Sequence, residues 1–330
     1  MAANYWESTQ RRNWQFTKDE LALKRDQQEE SEQELVRMYP LPETRHLNIY
    51  FNYQLGRLGK RLGVRQQCLA TAQMYLKRFY TKVEIRRTNP YLVITTALYL
   101  ACKMEEAPQH IRLVVSESRS LWPVDFLSVD IARLGECEFW MISEMSSQLI
   151  IHQPYNTVSR LRDEMSITLS NDEASLTTWI INDHYMTDLP LLYPPHIIAM
   201  TAILFALVMR PNPPAAQQTG NMLQMQSSAI SPAAVARDAM ETITRGGALG
   251  QSRTPNNTGS PAGQATSMAR IQRYVSFLAD SSNVRIEDMI ECSQELISFY
   301  DCQEQYNDKL TREQINRFVK ARGLDKVSSA

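Results

Sequence analysis

The chain has 330 residues, with 35 basic and 36 acidic side chains and a formal net charge of −1. That length is enough for about two domains with separate cores. The balanced charge lacks the basic excess of nucleic-acid-binding proteins, so we expect no direct binding to nucleic acid. Residues 1–7 lack the basic stretch and apolar core of a secretory signal, and the apolar run 197–209 is shorter than the roughly 20 residues that cross a bilayer. We therefore expect a soluble intracellular protein with no membrane partner.

The residue types that carry catalysis and metal binding occur without the spacing that either needs. The five cysteines include no Cys-x-x-Cys pair, and we interpret them as reduced side chains that pack in the core. The five histidines show no metal-ligand spacing, and no Ser, Cys or Thr stands in a nucleophile motif. The sequence thus predicts no metal, no cofactor and no catalytic residue, although a triad assembled in space by the fold stays open.

Glycine is scarce outside one segment, and this predicts an all-α fold. Six of the 11 glycines fall within residues 211–267, which leaves fewer than the turns of a β-rich chain require. The same segment has no aromatic residue and is rich in Pro, Ser, Gln and Asn, so we expect a disordered insertion. On either side, apolar residues recur every three or four positions. The predicted helices are 46–62, 65–83, 90–106, 109–117 and 126–145 in the first half, and 156–168, 173–187, 195–210, 269–278 and 284–300 in the second.

Two glycines in Gly56-Arg57-Leu58-Gly59-Lys60 superficially suggest a phosphate-binding loop. The stretch lacks the four-residue gap and the Ser or Thr after lysine that such a loop needs, and it falls inside a helical pattern. We interpret these glycines as positions of close helix packing or of helix ending.

The N-terminal arm has a predicted helix and several aromatic residues. Thr17-Lys18-Asp19-Glu20 fits a capping box ahead of an apolar position. Tyr5 and Trp6 stand in otherwise polar sequence, where they either fold back onto their own domain or anchor a partner. The sequence alone leaves both interpretations open.

Lys103 is the most unusual charge in the chain, because it closes an apolar helix and is followed closely by Glu105 and Glu106. A lysine at a helix end either complements the helix dipole and reaches water or meets a partner outside the fold. Glu136 lies about 200° around its helix from Leu134, at 100° per residue. It therefore points away from the apolar stripe, towards solvent or towards a partner.

Five helices, a second set of five, and several short motifs in a fixed order resemble the cyclin family, specifically the Mediator-associated type, cyclin C. The resemblance covers residues 4 to about 210 and, weakly, 269–305, and the insertion and tail are features that a fungal form would carry. The motifs are Asn4-Tyr5-Trp6-Glu7-Ser8, Arg65-Gln66-Gln67, Tyr75-Leu76-Lys77-Arg78-Phe79-Tyr80, Ala101-Cys102-Lys103-Met104-Glu105-Glu106, Glu136-Cys137-Glu138-Phe139, His152-Gln153-Pro154-Tyr155 and Ile181-Asn182-Asp183-His184-Tyr185.

The resemblance implies two five-helix cyclin boxes with an N-terminal helix. The implied bounds are 1–44 for the arm and helix, 45–150 for the first box, 151–305 for the second box with its insertion at 211–267, and 306–330 for a C-terminal tail.

The resemblance also implies a non-catalytic nuclear subunit that regulates transcription by RNA polymerase II. Its partners would be the cyclin-dependent kinase and the other subunits of the Mediator kinase module. Such a cyclin holds the αC helix of the kinase inward, so that the Lys–Glu pair that positions ATP can form.

Particular residues match positions with roles in the family. Lys103 and Glu136 match the lysine and glutamate that grip the kinase backbone beside αC, and Glu105 or Glu106 matches an acidic position that faces arginines of the activation segment. The further kinase-binding candidates are Tyr5 and Trp6, and the candidates for a groove between the repeats are Asn182 and Asp183.

The chain departs from the family pattern at two places. Cell-cycle cyclins carry a Met-Arg-Ala-Ile-Leu substrate-docking patch where this chain has His46-Leu47-Asn48-Ile49-Tyr50-Phe51, so we do not expect that docking mode. Trp179 is displaced by one position from the groove pattern.

Two functions other than that of a kinase regulator stay open for this chain. A cyclin-fold transcription adaptor of the TFIIB type predicts salt-sensitive DNA binding, and a helical enzyme predicts turnover by the isolated chain.

Overall fold

The computed structural model describes residues 4–123, 130–209, 261–280 and 284–324, and these residues form helices and no strands. The all-α prediction is therefore confirmed. Two short 3-10 turns cover Tyr5–Glu7 and Ile85–Arg87. The α-helices are α1 (Thr9–Asn13), α2 (Lys18–Ser31), α3 (Gln33–Met38), α4 (Thr44–Leu62), α5 (Gln66–Tyr80), α6 (Pro90–Met104), α7 (Ile111–Leu121), α8 (Ile131–Glu144), α9 (Pro154–Glu164), α10 (Asn171–His184), α11 (Leu189–Leu192), α12 (Pro195–Val208), α13 (Pro261–Asp280), α14 (Ile286–Gln305) and α15 (Asp308–Ala321).

The ten helices predicted from periodicity correspond to α4–α8 in the first half and to α9, α10, α12, α13 and α14 in the second. α13 begins at Pro261, inside the segment 211–267 that was expected to be disordered. Proline suits a helix start because its fixed φ is helical and the first turn needs no N–H donor. The rest of that insertion, 211–260, lies outside the described residues.

The predicted C-terminal tail contains a helix that the periodicity analysis missed. α15 starts after Asn307, whose side chain accepts a hydrogen bond from the Leu310 N–H at 3.2 Å. Ile315, Phe318 and Val319 then share one buried face. Both signals are present in the sequence, as an N-cap residue and a three-to-four-residue apolar spacing.

The chain forms two compact units, and neither is continuous in sequence. The first comprises residues up to Gln153, Asn182–Pro194 and the residues from Gln305 onward, and the second comprises Pro154–Ile181 and Pro195–Glu304. The linear bounds of the two boxes stay a prediction.

In the first unit, α6 is the central helix. Asn89 caps it by accepting a hydrogen bond from the Tyr91 N–H at 3.0 Å, and most of its side chains are buried. α4, α5, α7 and α8 all pack against it. The same core takes in Trp14 from the N-terminal arm and the buried face of α15. Each large aliphatic side chain buried in this way stabilises the fold by about 1.5–3 kcal/mol.

In the second unit, α12 is apolar on every face and packs against α9 and α13. The Tyr274 hydroxyl of α13 donates to the Met200 carbonyl of α12 at 2.9 Å. Arg270 of the same helix pairs with Glu173 at 2.7 Å. This unit therefore repeats the scheme of a buried helix covered by its neighbours.

Membrane-spanning helices and metal-binding groups are both absent from the described residues. No helix there is long and apolar enough to cross a membrane. No group of three or more His, Cys, Asp or Glu side chains within those ranges could hold a metal ion.

Of the two glycines inside α4, Gly59 has the packing role that the sequence suggested, and neither ends the helix. The helix ends at Gly63, whose φ of 61° is left-handed. A Cβ at Gly59 would lie 2.5 Å from Leu69 Cδ2 and 3.0 Å from Val64 Cγ2, whereas a Cβ at Gly56 would meet nothing within 4 Å. Gly59 therefore permits close packing, and Gly56 does not serve that purpose.

We predict opposite effects of alanine at these two helical glycines. Gly59→Ala should destabilise the chain by about 1–3 kcal/mol, because Leu69 and Val64 must move. Gly56→Ala should stabilise it by about 0.5–1 kcal/mol through helix propensity alone. Urea denaturation of both variants measures the difference, and a loss of stability in Gly56→Ala would contradict the packing argument.

Candidate functional site

The site lies where α6 ends, and the geometry of that end places its charges. Glu106 has a left-handed backbone with φ of 52°. The N–H of Ala107 donates to the Cys102 carbonyl at 2.9 Å, and the N–H of Glu106 donates to the Lys103 carbonyl at 3.4 Å. This is a Schellman ending, in which glycine is the usual residue at the left-handed position. A buried helix thus finishes in a sharp turn that carries Lys103, Glu105 and Glu106 at the surface of the first unit.

Lys103 is paired with a glutamate of α8. Its Nζ donates to the two carboxylate oxygens of Glu138 at 2.7 and 2.9 Å, and it lies 4.3 Å from the centre of the Tyr99 ring. Partial burial lowers the pKa of Lys103, but the bonds to Glu138 and Tyr99 outweigh this, and the net pKa is above the usual value. The lysine side chain is 40% exposed, so the ion pair contributes no more than about 1 kcal/mol to stability.

The glutamate that pairs with Lys103 inside the chain is Glu138, and not Glu136, which the sequence analysis matched to a kinase-binding position. Glu136 is exposed, and within the described residues it has no hydrogen-bond or ion-pair partner. The structure does not bring Glu136 to Lys103. The signal was available, because four residues at 100° each place Glu138 only about 40° from Leu134, on the stripe that faces α6. A contact of Glu136 with a kinase stays a prediction.

The two acidic residues after Lys103 differ in environment. Glu105 accepts hydrogen bonds from Gln67 Nε2 at 2.6 Å and from the Thr71 hydroxyl at 2.5 Å, and more weakly from Gln153 Nε2 at 3.4 Å. It therefore joins α5 to the end of α6. Glu106 is exposed and has no such partner within the described residues. Of the two, Glu106 is the carboxylate that is available to another molecule.

Exposed apolar side chains flank the ion pair in sequence. Phe139 follows Glu138 and is 76% exposed, and Met104 follows Lys103 and is 41% exposed. Single exposed apolar residues are common, but a group around an ordered ion pair is typical of a protein-binding surface. We call Lys103, Met104, Glu106, Glu138 and Phe139 the α6–α8 surface.

Tyr5 and Trp6 of the arm differ in environment. Folding back onto the domain describes Tyr5, and exposure suited to a partner anchor describes Trp6. Tyr5 folds back, because its hydroxyl donates to Gln15 Oε1 at 2.6 Å and its ring lies 5.6 Å from that of His152. Burial raises the pKa of Tyr5 to about 12. Trp6 is 40% exposed, with the Arg11 guanidinium 5.3 Å from its ring centre. Trp6 is therefore the better partner anchor, and kinase binding by either residue stays a prediction.

Asn182 and Asp183 lie at the C-terminal end of α10 and are half-buried. Both belong to the first unit. Trp179, earlier in α10, is 62% exposed. The groove that these residues would form stays a prediction.

The sequence analysis missed two adjacent buried cations of α5, Lys77 and Arg78. The Arg78 guanidinium donates to the Gln148 carbonyl at 2.5 Å and lies 5.1 Å from the centre of the Trp14 ring. Burial lowers the pKa of Arg78 to about 10. The available signal was a pair of basic residues inside an apolar run, where each buried charge needs a compensating group.

Comparison with known proteins assigns the class of this fold. The model of the cyclin N-terminal domain matches residues 12–149, a range that contains α4–α8. The first unit is therefore built around a cyclin box.

Relatives that match nearly the whole chain show which type of cyclin it is. The chain is 57% identical over 353 residues to the RNA polymerase II holoenzyme cyclin-like subunit of Neurospora crassa, covering 99% of this chain and 100% of that protein. It is 56% identical over 326 residues to the protein of the same name from Gibberella moniliformis, again covering 99% and 100%. The chain belongs to the cyclin family, in the cyclin C type.

Solved structures agree with the fold. A chain in the structure of the CAK complex from Chaetomium thermophilum bound to ATP-gamma-S superposes with a TM-score of 0.56 at 16% identity, covering 96% of this chain and 87% of that one. A chain of the yeast TFIIK (Kin28/Ccl1/Tfb3) complex gives a TM-score of 0.51 at 19% identity, covering 61% and 85%. At these identities the likeness concerns the fold alone.

We predict that Glu106→Gly stabilises the isolated chain by about 1 kcal/mol, because glycine removes the cost of a left-handed backbone at this position. Thermal unfolding followed by circular dichroism measures the shift. Glu106→Ala is the matched control, since it removes the same carboxylate but keeps a Cβ, and it should not be stabilised. Equal melting temperatures for the two variants would contradict the backbone argument.

Proposed function

We propose that this chain is the regulatory subunit of the Mediator-associated cyclin-dependent kinase and that it acts in the nucleus on transcription by RNA polymerase II. The observation that carries the proposal is the ordered Lys103–Glu138 pair at the exposed end of α6. The printed name of the relatives, RNA polymerase II holoenzyme cyclin-like subunit, supports the transcriptional setting. The chain itself would perform no catalysis.

The pair offers a donor and an acceptor side by side, which is what a peptide backbone requires. Lys103 can donate to a kinase carbonyl, and Glu138 can accept from a kinase N–H. The exchange of partners is inexpensive, because the Lys103 side chain is 40% exposed and an ion pair with an exposed lysine contributes little to the stability of the free chain. The Tyr99 ring, 4.3 Å from the Lys103 ammonium, helps to hold that ammonium in place.

The rest of the α6–α8 surface would supply affinity and orientation. Phe139 and Met104 provide apolar area that a kinase helix could cover. The Glu106 carboxylate can reach arginines of an activation segment, in charge-assisted hydrogen bonds. Lys103, Glu106 and Glu138 are thus our proposed kinase contacts, with Glu136 and Trp6 as candidates at the margin.

Activation would be a population shift in the kinase. A partner that binds the active conformation about 10⁴-fold more tightly than the inactive one, roughly 5.5 kcal/mol, converts a 1:99 equilibrium into 99:1. A surface that contacts the αC helix only when that helix is turned inward provides such a difference in affinity.

We predict that Lys103→Glu weakens binding of the purified full chain to the Mediator-associated kinase at least tenfold, since it removes the donor and places two carboxylates together. The double variant Lys103→Glu with Glu138→Lys is the decisive comparison. It restores the pairing inside the chain but reverses the donor and acceptor presented outwards, so kinase binding should remain weak. Binding and kinase activity measured for both variants provide the test, and full recovery in the double variant would show that the pair acts only within the chain.

We also predict that Glu138→Ala weakens kinase binding more than Glu136→Ala does, because only Glu138 is held beside Lys103. Glu164→Ala, an exposed carboxylate of α9 in the second unit, serves as control. Kinase affinities of the three variants, each measured beside its melting temperature, separate loss of contact from loss of folding. A larger effect of Glu136→Ala would favour the original sequence-based assignment.

A further inference from the structure

A groove of about 460 Å³ lies in the first unit, between the start of α6 and one side of α8. Arg133, Glu136 and Trp140 of α8 line it, and their spacing of three and four residues places them on one face of that helix. Arg87, from the second 3-10 turn, and Leu92 of α6 also line it. No residue of the α6–α8 surface does so, and the groove is therefore a separate feature of the first unit.

The end of α15 directs the chain into this groove. Gly323 has a left-handed backbone with φ of 65°. The N–H of Leu324 donates to the Val319 carbonyl and the N–H of Gly323 to the Lys320 carbonyl, both at 3.0 Å, which is again a Schellman ending. Gly323 and Leu324 both line the groove, and Asn89 Nδ2 donates to the Leu324 carbonyl at 3.3 Å. The last peptide group before residue 325 is thus fixed at the groove.

Covalent geometry limits where the following residues can go. Consecutive Cα atoms are about 3.8 Å apart, and three extended residues span about 10 Å. Residues 325–330 lie outside the described part of the chain, and their sequence is Asp-Lys-Val-Ser-Ser-Ala. Asp325, Lys326 and Val327 are therefore tethered within reach of the groove.

The charges of the groove complement those of this segment. Two cations, Arg87 and Arg133, and one anion, Glu136, line the groove. Arg87 has Glu32 at 3.5 Å, but 58% of its side chain is exposed, so it can accept a second carboxylate. Glu136 is exposed and has no ion-pair partner within the described residues. The segment begins with one anion and one cation, which is the complement that these three side chains require.

The groove also offers an apolar surface for the residue that follows the two charges. Trp140 is 37% exposed, and Leu92 is half-buried. An aliphatic side chain laid over them would remove apolar area from water. Val327 is the aliphatic residue that follows Lys326.

We propose that Asp325, Lys326 and Val327 occupy this groove in the free chain. The Asp325 carboxylate pairs with the two arginines that line the groove, the Lys326 ammonium pairs with Glu136, and Val327 covers Trp140. The occupant of the groove is thus a segment of this chain.

This occupancy regulates access to Glu136, a consequence that rests on the proposed function. Glu136 is a candidate kinase contact at the margin of the α6–α8 surface, and a kinase that contacts it must first displace the segment. The apparent affinity for the kinase is then reduced by the fraction of chains in which the groove is open. The segment acts as a competitor that the chain carries itself.

Photo-crosslinking of the purified full chain tests the occupancy without the kinase. A benzophenone amino acid incorporated at position 327 should cross-link to the peptides that carry Leu92 and Trp140, as mapped by mass spectrometry. The same amino acid at position 310, where Leu310 is 55% exposed at the start of α15, is the control and should give no cross-link to α8. Cross-links from position 327 that avoid α6 and α8 overturn the proposal.

Charge reversal in the same experiment tests the pairing. Lys326→Glu and Glu136→Lys should each lower the yield of the groove cross-link at least threefold, because each places like charges together. The double variant should restore the yield, and Lys309→Glu, an exposed lysine of α15, should leave it unchanged. Full yield in both single variants overturns the assigned ion pair.

Kinase binding separates this inference from the proposed function. A chain that ends at Leu324 should bind the Mediator-associated kinase at least threefold more tightly than the full chain, since its groove is always open. Equal or weaker binding overturns the competition. Cross-linking in the groove without kinase binding by either chain would support the occupancy and contradict the proposed function.

Discussion

Helix α6 sets the constraint on which the first unit depends. It is apolar on nearly every face, and most of its side chains are buried, so it is stable only when other helices cover it on all sides. α4, α5, α7 and α8 provide that cover. A helix buried in this way must still end somewhere, and its last turn is where polar groups become possible. The position of Lys103 follows from this, because it is the first charge that the chain can place after α6 reaches the surface.

The sequence was sufficient to predict ten of the helices from periodicity, because their signal is local. Spacing of three and four residues marks α4–α8 and most helices of the second half, and the prolines and glycines mark several ends, Gly63 among them. It could not show that α15 joins the same core as Trp14. Residues near positions 14 and 318 are so far apart in sequence that only tertiary packing places them in one core, and periodicity carries no information about such packing.

The candidate site was predictable in position but not in detail. Lys103 stood out as a charge on an apolar helix, yet the residue that pairs with it depends on how α8 is rotated about its axis. Glu136 and Glu138 point in directions about 200° apart around that axis, at 100° per residue. Likewise, Glu105 and Glu106 are neighbours in sequence, but the Schellman turn directs one towards Thr71 and leaves the other in solvent. Such differences arise from helix phase and backbone turn, which a motif does not encode.

The buried cations of α5 show what the chain does when a charge cannot reach the surface. Arg78 has a carbonyl and the face of Trp14 as compensation, whereas Lys77 has only the more distant field of Asp188. An apolar residue of similar length would avoid the desolvation cost, since replacing a buried charge with a well-packed hydrophobe is often neutral or stabilising. Lys103 differs from both, because its own side chain is 40% exposed and, in the proposed complex, exchanges Glu138 for a partner outside the chain.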